Sequence, residues 1–116
     1  MNCLDVEFFI PSLNSERTLE HVLIQIRRQC SDAKITVMDG LSRDRTVDIA
    51  KKYGCVIVRT DANIGKVRTM MIQLAQHRYV AMIDADMRLP VNWFERCLSW
   101  LILLQREDKR VVAVSG

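Results

Sequence analysis

The sequence predicts an α/β domain whose mostly parallel sheet carries helices on both faces. Two observations lead to this fold class. Short apolar runs alternate with longer stretches of helical periodicity along the chain, which is typical of βαβ units. The 116 residues, 49% hydrophobic and 27% charged, have the length and composition of a globular domain with a real core. We therefore expect a single domain over residues 1–116, with right-handed crossovers between parallel strands.

The first strand and helix show the pattern most clearly. Residues 6–10 are β-branched and aromatic and stop at Pro11, which predicts a strand that meets a turn. Ser15 is then expected to cap a helix. The apolar residues of that helix recur at i, i+3, i+4 and i+7, which defines one buried face. These residues are Leu19, Val22, Leu23 and Ile26.

The later elements repeat this alternation. Four more strands are predicted, over residues 35–38, 55–58, 79–83 and 111–114. Three more helices are predicted from apolar spacing, around residues 47–53, 67–75 and 94–102. Gly54 stands where the second helix is expected to stop. The apolar stripes of these helices are interpreted as core and not as a cofactor-binding segment.

Composition excludes several classes of function. The 17 Lys and Arg residues against 14 Asp and Glu residues give a net charge of +3, too mild to indicate a nucleic-acid partner. The four cysteines are widely spaced without a C-x-x-C pair, so we expect reduced thiols. No signal peptide is recognised, and no apolar run approaches the ~20 residues that cross a bilayer. A cytoplasmic location is predicted, with peripheral attachment to a membrane left open.

Acidic residues follow three of the predicted strands. Asp39 follows the second strand, Asp61 the third, and Asp84 and Asp86 the fourth. Ligands of open parallel sheets bind beyond the carboxyl ends of the strands, and carboxylates crowded there favour a cation. Asp84 and Asp86 would suit Mg²⁺ or Mn²⁺, and such an ion implies a diphosphate ligand. Turn and capping roles for the aspartates stay open as alternatives.

The common phosphate-binding and hydrolase motifs are missing, but a family resemblance is present. There is no G-x-G-x-x-G, G-x-x-x-x-G-K-[ST] or G-x-S-x-G. The segments FIPSLN (9–14), VMDGLSRDRT (37–46), NIG (63–65), MIDAD (82–86) and PVNWF (90–94) occur in the order of the family-2 glycosyltransferases with the GT-A fold. The chain resembles that family from residue 6 to about residue 116. The resemblance covers the nucleotide-sugar half of such a domain, which implies a truncated GT-A domain.

The resemblance implies a function and a set of site residues. The family transfers a sugar from a nucleotide diphosphate donor, here UDP-linked, to an acceptor, with Mg²⁺ or Mn²⁺ as cofactor. Asp84 and Asp86 match the metal-binding D-x-D, with Asp86 as the direct ligand, and Asp39 would bind the uracil edge. The donor-binding positions carried over from the family are Pro11, Leu13, Asn14, Asp39, Arg68, Asp84 and Ala85.

The chain departs from the family pattern in several places. Leu13 stands where the family often has Tyr, and Thr69 and Met71 stand where Asn and Gly are common. Met87 follows the D-x-D, where a polar residue is frequent. The family's general base would lie beyond Gly116, so the catalytic residue is not assigned and little transfer is expected from this chain alone.

The sequence also leads to expectations about binding partners, and it leaves two alternative functions open. The expected partner is a UDP-linked sugar, the acceptor is not specified, and a second copy or another chain could complete the domain. One alternative is a degenerate, non-catalytic nucleotide-binding or scaffold domain of the same fold. Another is a receiver-type signalling domain of similar length.

Overall fold

The computed structural model describes residues 6–77, 79–86 and 112–114. Strands and helices alternate as the sequence predicts, with element ends that differ by a few residues. The predicted helix around residues 94–102 lies outside the described residues. The strands are β1 (Val6–Ser12), β2 (Lys34–Asp39), β3 (Val56–Arg59), β4 (Tyr79–Met82) and β5 (Val112–Val114), and the helices are α1 (Leu19–Gln29), α2 (Thr46–Lys52) and α3 (Ile64–Leu74).

The five strands form one sheet in the order β3-β2-β1-β4-β5, and every adjacent pair is parallel. The prediction of a parallel α/β sheet is therefore confirmed. The register pairs Ser12 with Asp39, and Asp39 in turn with Arg59. The carboxyl ends of the first three strands thus meet at one edge of the sheet, with β1 at the centre.

Helices cover both faces of the sheet, as predicted. Side chains alternate along a strand, so Phe8 and Phe9 point to opposite faces. Phe8 lies in a core cluster with Leu23 of α1. Phe9 lies in a second cluster with Met71 of α3. The domain therefore has two apolar layers, one under α1 and α2 and the other under α3.

The ends of two helices test the sequence predictions. The predicted cap at Ser15 is wrong, because α1 begins at Leu19 and its N-cap residue is Thr18. Ser15 instead accepts hydrogen bonds at its backbone oxygen from the N–H groups of Thr18 and Leu19. Helix α2 stops before Gly54, which has a φ of 73° and supplies the left-handed conformation that favours glycine. The predicted stop at Gly54 is confirmed.

A buried carboxylate joins the starts of β1 and β4. Glu7 is fully buried, and its Oε2 accepts hydrogen bonds from the N–H groups of Gln76 (2.5 Å) and His77 (2.6 Å). Nδ1 of His77 lies 3.0 Å from the same oxygen. Oε1 of Glu7 has no hydrogen-bond partner in the described part of the chain.

The cysteines differ from the expected set of reduced thiols. Cys30 is disulfide-bonded, which contradicts that expectation. Cys55 is a free thiol. Burial raises the pKa of the Cys55 thiol to about 11, and the positive charge of Arg27 opposes the shift. No helix in the described ranges is long and apolar enough to cross a membrane.

The raised pKa makes the reactivity of Cys55 dependent on folding. The thiolate is the reactive form, so we expect iodoacetamide at pH 8 to modify Cys55 slowly in the folded chain and rapidly in urea. Since the unfolded thiol loses its proton near 9.0, the free energy of unfolding should fall as the pH rises from about 9 to about 11. Mass spectrometry of peptides from the non-reduced chain measures the first effect. Equal labelling rates in the folded and unfolded chain would contradict it.

Candidate functional site

A cavity of about 440 Å³ opens at the carboxyl ends of the strands. Met38 and Val67 in its wall belong to the core cluster under α3, so the cavity lies on the α3 side of the sheet. This is the edge at which open parallel sheets bind their ligands. The cavity is lined by Pro11, Ser12, Leu13, Met38, Gly40, Thr60, Asp61, Ala62, Val67 and Asp84.

Three of the predicted donor-binding residues meet in this cavity, namely Pro11, Leu13 and Asp84. Leu13 is 59% exposed, so much of its side chain is in contact with solvent. The pairing of β1 with β4 continues past β4 itself, since the Ile83 N–H donates to the Phe9 oxygen at 3.0 Å. This hydrogen bond sets Asp84 beside the end of β1, so the ends of these two neighbouring strands form part of the cavity wall.

The two aspartates of the D-x-D differ in their surroundings. Asp84 and Asp86 are both exposed, and Ala85 between them is buried. Asp84 lines the cavity, whereas Ala85 and Asp86 do not. The described residues contain no cluster of three or more His, Cys, Asp or Glu side chains that could hold a metal. Two exposed carboxylates still fit Mg²⁺ or Mn²⁺, which use one or two carboxylates together with water and substrate phosphates.

Asp39 is buried behind the cavity and is not part of its wall. The residue is 0% exposed, and its position along β2 matches that of Ile35 and Val37 in the cluster under α1 and α2. Oδ1 accepts a hydrogen bond from Oγ of Ser42 (2.5 Å), and Oδ2 accepts from the Ser42 N–H (3.0 Å) and from Nε of Arg59 (3.1 Å). A carboxylate offers about four acceptor positions, so about one remains.

Asn14 joins two loops at the rim of the sheet. Its φ of 49° is left-handed, a conformation that Asn tolerates better than most residues. The Asn14 N–H donates to Oγ of Ser42 (2.8 Å), and Oδ1 of Asn14 accepts from the Arg43 N–H (2.9 Å). Asn14, predicted as a donor-binding residue, thus has its described contacts within the protein. It does not line the cavity.

Further hydrogen bonds close the same two loops against each other. We call residues 14–16 and 42–46 together the loop clasp. The Ser15 N–H donates to Oγ1 of Thr46 (2.8 Å), and the Glu16 N–H donates to Oδ2 of Asp44 (3.2 Å). Burial opposes ionisation of Asp44, but the hydrogen bonds from Thr46 and Glu16 outweigh it and lower the pKa of Asp44. The clasp therefore holds the ends of β1 and β2 in one arrangement.

Three further residues lie at or near the rim of the sheet. Arg68, predicted near the base and diphosphate, is exposed on α3 and does not line the cavity. Thr60 was not assigned from the sequence, yet it lines the cavity, and its N–H donates to the backbone oxygen of Asp39 at 2.8 Å. Arg59, which binds Asp39, was also missed. The one sequence feature that could have indicated Arg59 is its position directly after the predicted third strand.

The parallel sheet, with its cavity at the carboxyl ends of the strands, has the GT-A fold. The chain belongs to glycosyl transferase family 2, whose model matches residues 7–114. No curated protein sequence matches the chain. The predicted family and fold are thus confirmed. The alternative of a receiver-type domain is wrong on family membership and on topology, since receiver-type sheets have the order 2-1-3-4-5.

Several solved structures share this fold. TarS of S. aureus is 21% identical with a TM-score of 0.69, over 90% of this chain and 20% of that chain. Mannosyl-3-phosphoglycerate synthase from Rubrobacter xylanophilus is 26% identical with a TM-score of 0.64, over 73% and 31%. Glucosyl-3-phosphoglycerate synthase from Mycobacterium tuberculosis, in complex with Mn²⁺, UDP and glucosyl-3-phosphoglycerate, is 23% identical with a TM-score of 0.68, over 86% and 40%. The chain thus spans less than half of each of these proteins.

Leu41, which directly precedes the second segment of the loop clasp, provides a test of backbone strain. Its φ of 66° is unfavourable for leucine, and its side chain is 48% exposed, so little packing compensates. We expect Leu41→Gly to raise the free energy of unfolding by about 1 kcal/mol, measured by urea denaturation. Leu13→Gly is the control, because Leu13 is similarly exposed but does not have a positive φ. A loss of stability in both variants would contradict the interpretation.

Proposed function

We propose that this chain is the donor-binding half of a metal-dependent glycosyltransferase that takes a UDP-linked sugar. The observation that carries the proposal is the cavity at the carboxyl edge of the sheet, with Asp84 in its wall, in a chain of family 2. The M. tuberculosis synthase of the same fold has structures with UDP and with UDP-glucose, each together with Mn²⁺. These complexes support the choice of uridine and of the metal.

Asp84 and Asp86 are the residues that would hold Mg²⁺ or Mn²⁺. Both carboxylates are exposed just beyond β4, on either side of the buried Ala85. The bound ion would supply positive charge that screens the diphosphate and stabilises it as a leaving group. Arg68 on α3 is a second cation for the diphosphate in this proposal, where an arginine can pair with two phosphate oxygens.

The base and ribose would occupy the part of the cavity near β1 and β2. Pro11 and Leu13 supply an apolar wall there, which suits the face of a base. Asp39, which the resemblance predicted at the uracil edge, is fully buried and outside the cavity wall, so it would support this part of the site by holding the loop after β2 and not by contact with the base. Asn14 would act on the donor through the loop clasp and not by direct contact.

Transfer needs more than the donor. An acceptor hydroxyl must lose its proton to a general base, which we place outside residues 1–116. A further segment, a second copy or another chain would then supply the base and the acceptor pocket. The acceptor is not specified by this site, and a cytoplasmic location remains a prediction of the sequence.

Isothermal titration of the chain with UDP, with and without Mn²⁺, tests the proposal. We expect Mn²⁺ to strengthen UDP binding, and Asp84→Asn and Asp86→Asn each to weaken the Mn²⁺-dependent affinity by about tenfold or more, which is about 1.4 kcal/mol. The physical reason is that each substitution removes one anionic oxygen ligand from the ion. Asp32→Asn, an equal charge change at an exposed turn residue between α1 and β2, is the control.

The possible outcomes separate the alternatives. UDP binding that is indifferent to Mn²⁺ and to both carboxylates would overturn the metal site. Absence of UDP binding with the fold intact would favour the degenerate scaffold.

A further inference from the structure

Among the described residues that line the cavity, two carry charge, namely Asp61 and Asp84. Asp61 follows β3, and Asp84 follows β4. Because the sheet has the order β3-β2-β1-β4, the ends of these two strands are three strand spacings apart, or about 14 Å. The two carboxylates therefore lie at opposite ends of the cavity, with the ends of β1 and β2 between them.

The two ends of the cavity differ in the ligand group that they can accept. Asp84 is followed by Asp86, and this pair suits a divalent ion and hence a diphosphate. Asp61 stands alone at the β3 end, since none of the described lining residues is Lys, Arg or His. A diphosphate beside Asp61 would therefore meet a like charge without compensation, which is unfavourable. The β3 end suits a neutral group that donates a hydrogen bond.

The backbone is held on both sides of Asp61. The Thr60 N–H donates to the Asp39 backbone oxygen at 2.8 Å, which continues the pairing of β3 with β2 by one residue. The Ala62 N–H donates to Oγ1 of Thr60 at 3.1 Å. The side chain of Asp61 is exposed, and within the described ranges no hydrogen bond or salt bridge occupies its carboxylate. Asp61 thus brings an unused acceptor to the cavity from a fixed loop.

The Thr60 hydroxyl offers a donor next to this acceptor. Side chains alternate along a strand, so Thr60 points to the same face as Val58, which packs in the core cluster under α3. The cavity lies on that face. Oγ1 of Thr60 accepts from the Ala62 N–H, and a hydroxyl has one O–H donor besides its acceptor positions. The β3 end therefore presents a donor and an acceptor on consecutive residues.

The geometry points to Thr60 and Asp61 as the residues that select the base of the donor. This inference rests on the proposed function, in which the base lies against Pro11 and Leu13. With the diphosphate at Asp84, the base of an extended nucleotide reaches toward β3. The edge of uracil carries an N–H at ring position 3 beside a carbonyl oxygen at position 4. The Asp61 carboxylate accepts from this N–H, and the Thr60 hydroxyl donates to this oxygen.

Titrations of the whole chain with UDP, and with UDP methylated at ring nitrogen 3, test the role of Asp61 in the presence of Mn²⁺. The methyl group replaces the N–H and leaves the diphosphate unchanged. We expect the wild type to bind UDP about tenfold or more tightly than the methylated analogue, because the analogue leaves the carboxylate without its donor. Asp61→Ala removes the acceptor and makes room for the methyl group, so its two affinities should agree within about twofold.

Two controls accompany this comparison. Asp32→Ala removes an equal charge from an exposed turn between α1 and β2, at the opposite edge of the sheet, and should keep the wild-type ratio of the two affinities. In Asp61→Ala, Mn²⁺ should strengthen UDP binding as much as in the wild type, because Asp84 and Asp86 hold the ion. Circular dichroism records the fold of each variant.

A pair of substitutions tests Thr60. Thr60→Val removes the hydroxyl at nearly constant volume and should weaken UDP binding by about threefold to tenfold. Thr60→Ser keeps the hydroxyl, so its UDP affinity should lie within about twofold of the wild type. Wild-type affinity in a folded Thr60→Val variant would contradict the role of Thr60. If that variant does not fold, the serine variant decides, and a loss of about tenfold in folded Thr60→Ser contradicts the role.

The outcomes separate this inference from the proposed function. If the wild type binds no UDP, the proposed function fails and the inference fails with it. If the wild type binds UDP and its methylated analogue equally, or if Asp61→Ala keeps the wild-type ratio, the inference alone is overturned. Loss of the Mn²⁺ effect in Asp61→Ala would make Asp61 a metal ligand and would likewise overturn the inference.

Discussion

The carboxylate of Asp39 is the constraint on which the rim of the sheet depends. A fully buried negative charge must be compensated on every side, and here the compensation comes from the loop after β2 and from β3. Oγ of Ser42 donates a hydrogen bond to Asp39 and accepts one from the Asn14 N–H. The end of β1 is therefore linked to the same buried carboxylate. Three strand ends are therefore held by one charged centre, and the cavity lies directly against them.

Much of the fold could be predicted because the signals are local. Apolar periodicity is a property of neighbouring residues, so the buried face of α1 at Leu19 and Ile26 follows from the sequence alone. The stop at Gly54 is equally local, since it depends on one backbone conformation. The position of Asp84 just beyond β4 could likewise be predicted, because a polar residue directly follows an apolar run.

The missed features depend on partners far away in the sequence. The hydrogen bonds from the Gln76 and His77 N–H groups to Glu7 join residues about 70 positions apart, and no local pattern indicates them. Ser15 resembled a helix cap, but its N–H is bound to Thr46 in another loop. The pairing of Asp39 with Arg59 follows from the register of two strands, which residue spacing does not specify. The family resemblance predicted a ligand-binding role for Asp39, but it did not indicate Arg59, the cation that pairs with this carboxylate.

The central position of β1 has a consequence for how the chain reaches its folded state. Val6 at the start of β1 pairs with Tyr79 at the start of β4, so two segments about 70 residues apart in the sequence lie side by side. Closing so long a loop costs chain entropy before the contact returns any free energy. The β1–β2–β3 half can assemble from nearer neighbours, whereas β4 can pair with β1 only after the roughly 70 residues between them have been synthesised. Until then one edge of the central strand stays open, which makes newly made chains most vulnerable to misassembly along β1.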